Sequence, residues 1–146
     1  MKQKARALVG LIVGMALFSA SSAQSAEAPV QLQLDTETAI DGVGVACTGI
    51  GQTKTDPRWL EYPVRVEFAN TQHEYVIGVT VTLSDSHGTS MLAVSCPGPW
   101  LVLKLPDRSA YRLDAHMSDA NTPLLSRTVV APAKGQSRVV LTFPGM

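Results

Sequence analysis

The sequence lacks an excess of charge of either sign. Its 146 residues include twelve basic and twelve acidic side chains, and beyond residue 23 the basic ones are scattered singly along the chain. Proteins that bind DNA or RNA usually present a clustered basic patch to the phosphate backbone. The composition therefore argues against a nucleic-acid-binding protein.

An apolar run long enough to span a membrane is also missing. The run at residues 7–18 falls short of the roughly 20 residues that a membrane-spanning helix needs. It follows three basic residues and precedes a string of small residues, an order typical of a secretory signal peptide. We expect a leader over residues 1–23, with an alternative end at residue 26.

Cleavage of this leader changes the charge of the chain. It removes three of the twelve basic residues and none of the acidic ones, which leaves a mildly acidic protein with a net charge of −3. We expect this mature protein to be periplasmic or secreted, without a stable membrane span.

Cysteine is scarce, since Cys47 and Cys96 are the only two. Both lie in the part expected to be exported, where an oxidising compartment favours a disulfide. The alternative is two separate buried thiols. Geometry decides between them, because bonded cysteines need Cα atoms within roughly 7 Å.

Motifs that carry chemistry are equally scarce. The glycine-rich segment 40–51 lacks the third glycine of a nucleotide-binding fingerprint, and no serine stands in a Gly-x-Ser-x-Gly elbow. His73 and His87 fall in predicted turns, while His116 lies on the polar face of a predicted strand. We therefore predict no catalytic residue, no cofactor and no metal site.

Period-two alternation dominates residues 75–116. Apolar and hydroxylated residues alternate over 79–84, and turns rich in Gly, Pro and Asp separate this segment from three further alternating runs. The alternation predicts ten core residues: Val66, Phe68, Val79, Val81, Leu83, Leu101, Leu103, Leu113, Val139 and Leu141.

Short strands at regular spacing predict an all-β fold, a seven- to eight-stranded antiparallel β-sandwich. Residues 24–61 are expected to hold an N-terminal strand, the glycine-rich loop and at most one short helix near residues 56–62. Thr55 or Asp56 can cap this helix, and Pro57 suits its first position. Residues 62–146 form the sandwich core, and both parts belong to one domain.

A recognisable order of strands and turns runs through residues 75–92, the turn Gly98-Pro99-Trp100 and residues 101–116. These segments resemble the carboxypeptidase regulatory-like domains, which are small sandwiches of the transthyretin-like type. The resemblance covers roughly residues 62–143. Some small exported bacterial proteins also look similar over the whole mature chain. The turn before the tyrosine usually carries a glycine in this family, whereas Ser109 and Ala110 stand there. The resemblance implies a sandwich with an accessory role.

These observations predict a non-catalytic exported accessory or protein-interaction module of the cell envelope. Its partner is expected to be an envelope protein or a surface glycan. The alternative is a small exported ligand-binding protein, for example for carbohydrate stacked on Trp59 and Trp100, or an enzyme of unknown substrate. An exposed loop or edge strand favours the module, whereas a pocket with converging polar groups favours the alternative.

Two loops are the predicted contact points of such a module. One is the turn of residues 85–89. The other is the interaction loop Pro97, Gly98, Pro99 and Trp100, whose prolines stiffen the backbone beside a large aromatic residue. A stiff loop loses less entropy when it binds.

Overall fold

Alternating apolar residues build the strands of this protein. The computed structural model describes residues 28–119 and 121–146, so the predicted leader lies outside the described residues. Ten strands form in the described part. They are β1 (Val30–Gln31), β2 (Thr38–Ile40), β3 (Val43–Thr48), β4 (Val64–Asn70), β5 (Val79–Ser84), β6 (Ser90–Cys96), β7 (Trp100–Lys104), β8 (Ala110–His116), β9 (Leu125–Val130) and β10 (Ser137–Phe143).

The strands form two five-stranded sheets, with the orders β1-β6-β5-β8-β9 and β10-β4-β7-β3-β2. This arrangement confirms the predicted all-β sandwich. Residues 75–116 form four of the strands, as their alternation predicts. The strand count exceeds the predicted seven or eight because β2 and β3 were not expected.

Two of the pairings are parallel, although the sequence predicted an antiparallel fold. β1 runs parallel to β6, and β10 runs parallel to β4. Both are edge strands near the chain ends, so no hairpin turn fixes their direction. The central pairings are antiparallel.

The core lies between the sheets. Nine of the ten predicted core residues are buried, and the tenth, Val139, is half-buried and packs against them. In β5 the register places Val81 opposite Val94 and Ala115. The predicted inward and outward faces of this strand are therefore confirmed.

The glycine-rich segment contains a strand rather than the predicted loop alone. Residues 43–48 form β3 and pair with β7 and β2. The burial of β3 on both faces explains the error, since a strand covered on both sides shows no apolar–polar alternation. Ala46 and Thr48, on its outer side, are as buried as Cys47 on its inner side.

Two short 3₁₀ helices, Gly51–Thr55 and Pro57–Glu61, replace the single predicted helix. The predicted start of the second is confirmed, because the Asp56 side chain accepts the Arg58 N–H at 2.9 Å and Pro57 occupies the first position. This helix covers the outer face of the second sheet. Its Trp59 packs with Tyr62 against Ala46 and Val102.

None of the helices in the described residues is both long and apolar enough to cross a membrane.

The register of β5 predicts unequal effects of two adjacent substitutions. Val81→Asp places an unpaired charge in the core and should cost about 4 kcal/mol or more. Thr80→Asp lies on the half-exposed outer face, where the loss of the 3.0 Å contact with Ser95 should cost about 1 kcal/mol. Urea unfolding midpoints measure both. A larger loss for Thr80→Asp would contradict the register.

Candidate functional site

A disulfide joins the two sheets at one end of the sandwich. Cys47 of β3 is bonded to Cys96 of β6, with their Cα atoms 5.5 Å apart. The predicted disulfide is confirmed. Both cysteines are fully buried, so the bond belongs to the core and is shielded from reductants. We refer to this end of the molecule as the disulfide end.

Backbone hydrogen bonds fix the chain segments that meet at the disulfide end. Three such bonds tie separate segments to the cysteines or to the loop that follows them: Asp35 N–H to Cys47 O at 2.8 Å, Gly78 N–H to Cys96 O at 3.0 Å, and Phe68 N–H to Pro99 O at 2.9 Å. The Gly98 N–H also donates to Cys47 Sγ at 3.0 Å. These bonds give the disulfide end a defined backbone.

The predicted interaction loop lies inside this framework. Gly98, Pro99 and Trp100 are buried, and Pro97 is half-buried. A Cβ atom on Gly98 would lie 2.5 Å from Thr48 O, so only glycine allows this close approach. The role of the loop in binding stays a prediction, and its burial leaves little of it for a partner to contact directly.

Exposed apolar side chains surround the loop instead. Leu34, Ile50, Tyr75 and Ile77 are 38%, 46%, 52% and 57% exposed. We call these four residues the apolar rim. Exposed apolar side chains that lie close together often mark a binding site.

Direct contacts place Leu34 and Tyr75 beside the loop, and the contacts of neighbouring glycines place Ile50 and Ile77 near it. Leu34 bridges to Cys47 in the β-sheet and lies against Gly98. The Tyr75 ring meets the Trp100 ring edge to face, with the centroids 6.2 Å apart. Ile50 and Ile77 adjoin two glycines, Gly49 packed under Trp100 and Gly78 bonded to Cys96.

Simple alternation does not describe part of this rim. Tyr75 and Ile77 share the parity of Val79, so strict alternation would turn them toward the core. Gly78 has a positive φ of 76°, and it ends the strand geometry. Val76 is buried in their place, with its N–H bonded to Phe68 O. The glycine before the strand was the signal that could have revealed this reversal.

A buried carboxylate lies beside the rim. Glu67 is 1% exposed and lies on the outer side of β4, where it bonds Arg138 and accepts the Tyr75 hydroxyl at 3.2 Å. Arg65 Nη2 lies 3.6 Å from the same carboxylate. The hydrogen bond to Glu67 raises the pKa of Arg138. Two guanidinium groups thus share one carboxylate, with an excess of one positive charge.

The two tryptophans do not form an open stacking platform. Trp59 is 2% and Trp100 is 9% exposed. The Arg58 guanidinium lies 4.4 Å from the Trp59 ring centroid, and that of Arg65 lies 4.5 Å from the Trp100 centroid. A sugar stacks on a free aromatic face, and these rings offer little free surface.

The three histidines lie at the ends of strands, and His73 and His87 lie at opposite ends of β5. His73 and His87 are exposed in the turns before and after β5, and His116 is exposed at the end of β8. The length of β5, about 17 Å at the usual rise per residue, separates the first two. Within residues 28–119 and 121–146, no cluster of three or more His, Cys, Asp or Glu side chains could hold a metal ion.

A cleft of about 310 Å³ lies at the other end of β5, between the predicted turn of residues 85–89 and the turn before β8. Its carboxylates are engaged in their own turns. Asp85 accepts the N–H groups of His87 and Thr89. Asp107 accepts the Ser109 N–H and the Tyr111 hydroxyl.

The pKa shifts of Asp107 and Tyr111 do not favour proton transfer by these two groups. Hydrogen bonds from Ser109 and Tyr111 lower the pKa of Asp107, and burial raises the pKa of Tyr111. A general acid or base works best with a pKa near the working pH. Both shifts move these groups away from neutrality.

The structure also contains strand edges at which the predicted edge-strand contact could form. The N-terminal segment covers one side of the sandwich through β1 and β2. On the other side, in the described part of the chain, β9 pairs only with β8 and β10 only with β4. Unpaired strand edges can accept a strand from another protein, so β9 is a second candidate surface.

Comparison with known proteins does not identify the chain. It matches no protein-family model and no curated protein. The resemblance to carboxypeptidase regulatory-like domains therefore stays a prediction.

Because Glu67 is buried, we expect its replacement to destabilise the protein more than the replacement of an exposed glutamate. Glu67→Gln removes the charge shared by two arginines and should destabilise the protein by about 1–3 kcal/mol. Glu61→Gln, at an exposed position, is the control and should change stability by less than about 0.5 kcal/mol. Thermal and urea unfolding compare the two. Equal stability of both variants would show that the contacts of Glu67 with Arg65 and Arg138 add nothing to the stability of the fold.

Proposed function

We propose that this protein is a non-catalytic exported module that binds a protein of the cell envelope through its disulfide end. The apolar rim carries the proposal, since four apolar or aromatic side chains are exposed on a backbone fixed by the disulfide. The predicted leader and the disulfide support a periplasmic or secreted location.

A fixed backbone favours binding because little conformational entropy is lost when the partner docks. The residue types also suit a binding surface. Tyrosine, tryptophan and arginine contribute most often to the binding energy of protein interfaces, and Trp100 contacts both Tyr75 and Arg65 here. The buried loop would act as the support that orients the exposed side chains.

Several observations support a module without catalysis. His73 and His87 lie at opposite ends of β5, and the Asp85 and Asp107 carboxylates of the cleft bond their own turns. The likeness to carboxypeptidase regulatory-like domains, which accompany enzymes without performing the reaction, fits the same role.

The cleft supports a second candidate function. Its volume of about 310 Å³ lies at the lower end of the range for small-molecule sites. Asp85 and Asp107 bond their turns through Oδ1, so their Oδ2 atoms could hold a small polar ligand, such as one sugar unit of a surface glycan. This ligand-binding function needs no contact at the disulfide end.

Site-specific photocrosslinking tests the proposed surface. A benzoylphenylalanine replaces Ile77 in the apolar rim, Thr128 in β9 or Ser109 at the cleft, in cells that make the protein naturally. We expect a discrete protein adduct from position 77 and none from position 109. Because the Tyr75 ring should carry part of the binding energy, Tyr75→Ala should remove the adduct.

Other outcomes would contradict the proposal. An adduct from position 128 alone would assign binding to the β9 edge. Turnover of a substrate that depends on the histidines would overturn the non-catalytic function.

A further inference from the structure

Glu67, Arg65, Arg138, Tyr75 and Trp100 form a group of contacts that we call the Glu67 cluster. This cluster has more hydrogen-bond donors than acceptors. The Glu67 carboxylate accepts from Arg138 at both oxygens and from Tyr75 at Oε1, which accounts for most of its acceptor capacity. Each guanidinium has five N–H donors. The Arg138 side chain is 58% exposed, so part of its donor set faces solvent.

Two further donors of the cluster are buried without an acceptor. Among the described residues, neither Arg65 Nε nor Trp100 Nε1 has a hydrogen-bond partner. Trp100 is more than nine-tenths buried, and the Arg65 guanidinium lies over its ring. A buried N–H without a partner is costly, and both atoms are closed to solvent as the structure stands. The accessible donors of the cluster are the ends of the Arg65 and Arg138 side chains, which are 23% and 58% exposed.

The charge of the cluster selects the type of acceptor. Arg65 and Arg138 outnumber Glu67 by one positive charge, and Arg65 Nη2 lies 3.6 Å from the oxygen that Arg138 Nε also contacts. The two guanidinium groups are therefore neighbours. Paired guanidinium groups favour a carboxylate, which matches their planar donor geometry.

We propose that the partner presents an acidic peptide segment, whose carboxylate binds Arg65 and Arg138 while an adjacent apolar side chain packs on Tyr75. The inference rests on the proposed function and adds the chemistry of the partner. The apolar rim favours a peptide over a small inorganic anion, because such an anion would leave Tyr75 and Ile77 without contacts.

Selection from a library of random dodecapeptides tests this inference on the oxidised mature protein. Selected peptides should combine Asp or Glu with an aromatic or aliphatic neighbour. Their affinity should fall as salt rises, since the attraction is partly electrostatic. Arg138→Gln should weaken binding about tenfold or more, and Arg138→Lys should restore only part of it.

The controls separate this inference from the proposed function. Arg127→Gln removes an exposed arginine of β9 and should leave affinity unchanged, and circular dichroism checks that each variant is folded. Selection of neutral or basic peptides whose binding needs Tyr75 but not Arg138 would overturn the inference of an acidic partner. It would leave the proposed binding surface intact. Selected peptides that bind Tyr75→Ala as tightly as the unmodified protein would overturn both. Inorganic phosphate that blocks Arg138 at millimolar concentration, with no acidic peptide selected, would assign the site to a free anion and overturn the inference.

Discussion

The Cys47–Cys96 disulfide is the constraint on which the proposed surface depends. It links a strand of each sheet across 49 residues of sequence, and the lost entropy of the unfolded chain is worth about 4 kcal/mol. Its geometric effect is more specific. The bond places Gly98 against Thr48 and holds Trp100 beneath Tyr75. The loop thereby supports the apolar rim, and the partner meets residues from other segments.

Much of the fold could be predicted because simple physical rules decide it. In β5, Val81 faces the core and Thr80 faces outward, as any half-buried strand requires. The disulfide followed from two cysteines in a chain with an apparent export signal. The capped start at Asp56 and Pro57 followed from the unpaired N–H groups at a helix start.

The candidate site could not be predicted in the same way, because it depends on contacts between distant segments. Gly78 reverses the faces of the residues before it, so Tyr75 becomes exposed against the parity of the strand. β3 is covered on both sides and shows no alternation. Glu67 and Arg138 are 71 residues apart and meet only through the parallel pairing of β4 with β10, for which no turn gives a signal. The carboxylate and its arginines therefore look like ordinary surface charges in the sequence.

Amide hydrogen exchange tests most directly whether the disulfide fixes the backbone of the binding surface. The oxidised protein is compared with a Cys47→Ala and Cys96→Ala double variant. The amides of Asp35, Phe68, Gly78 and Gly98, which bond to the cysteines or to the loop, should exchange slowly in the oxidised protein and much faster in the variant. The amides of β5 and β8 should stay protected in both. Equal protection of the four amides in the two proteins would contradict the account.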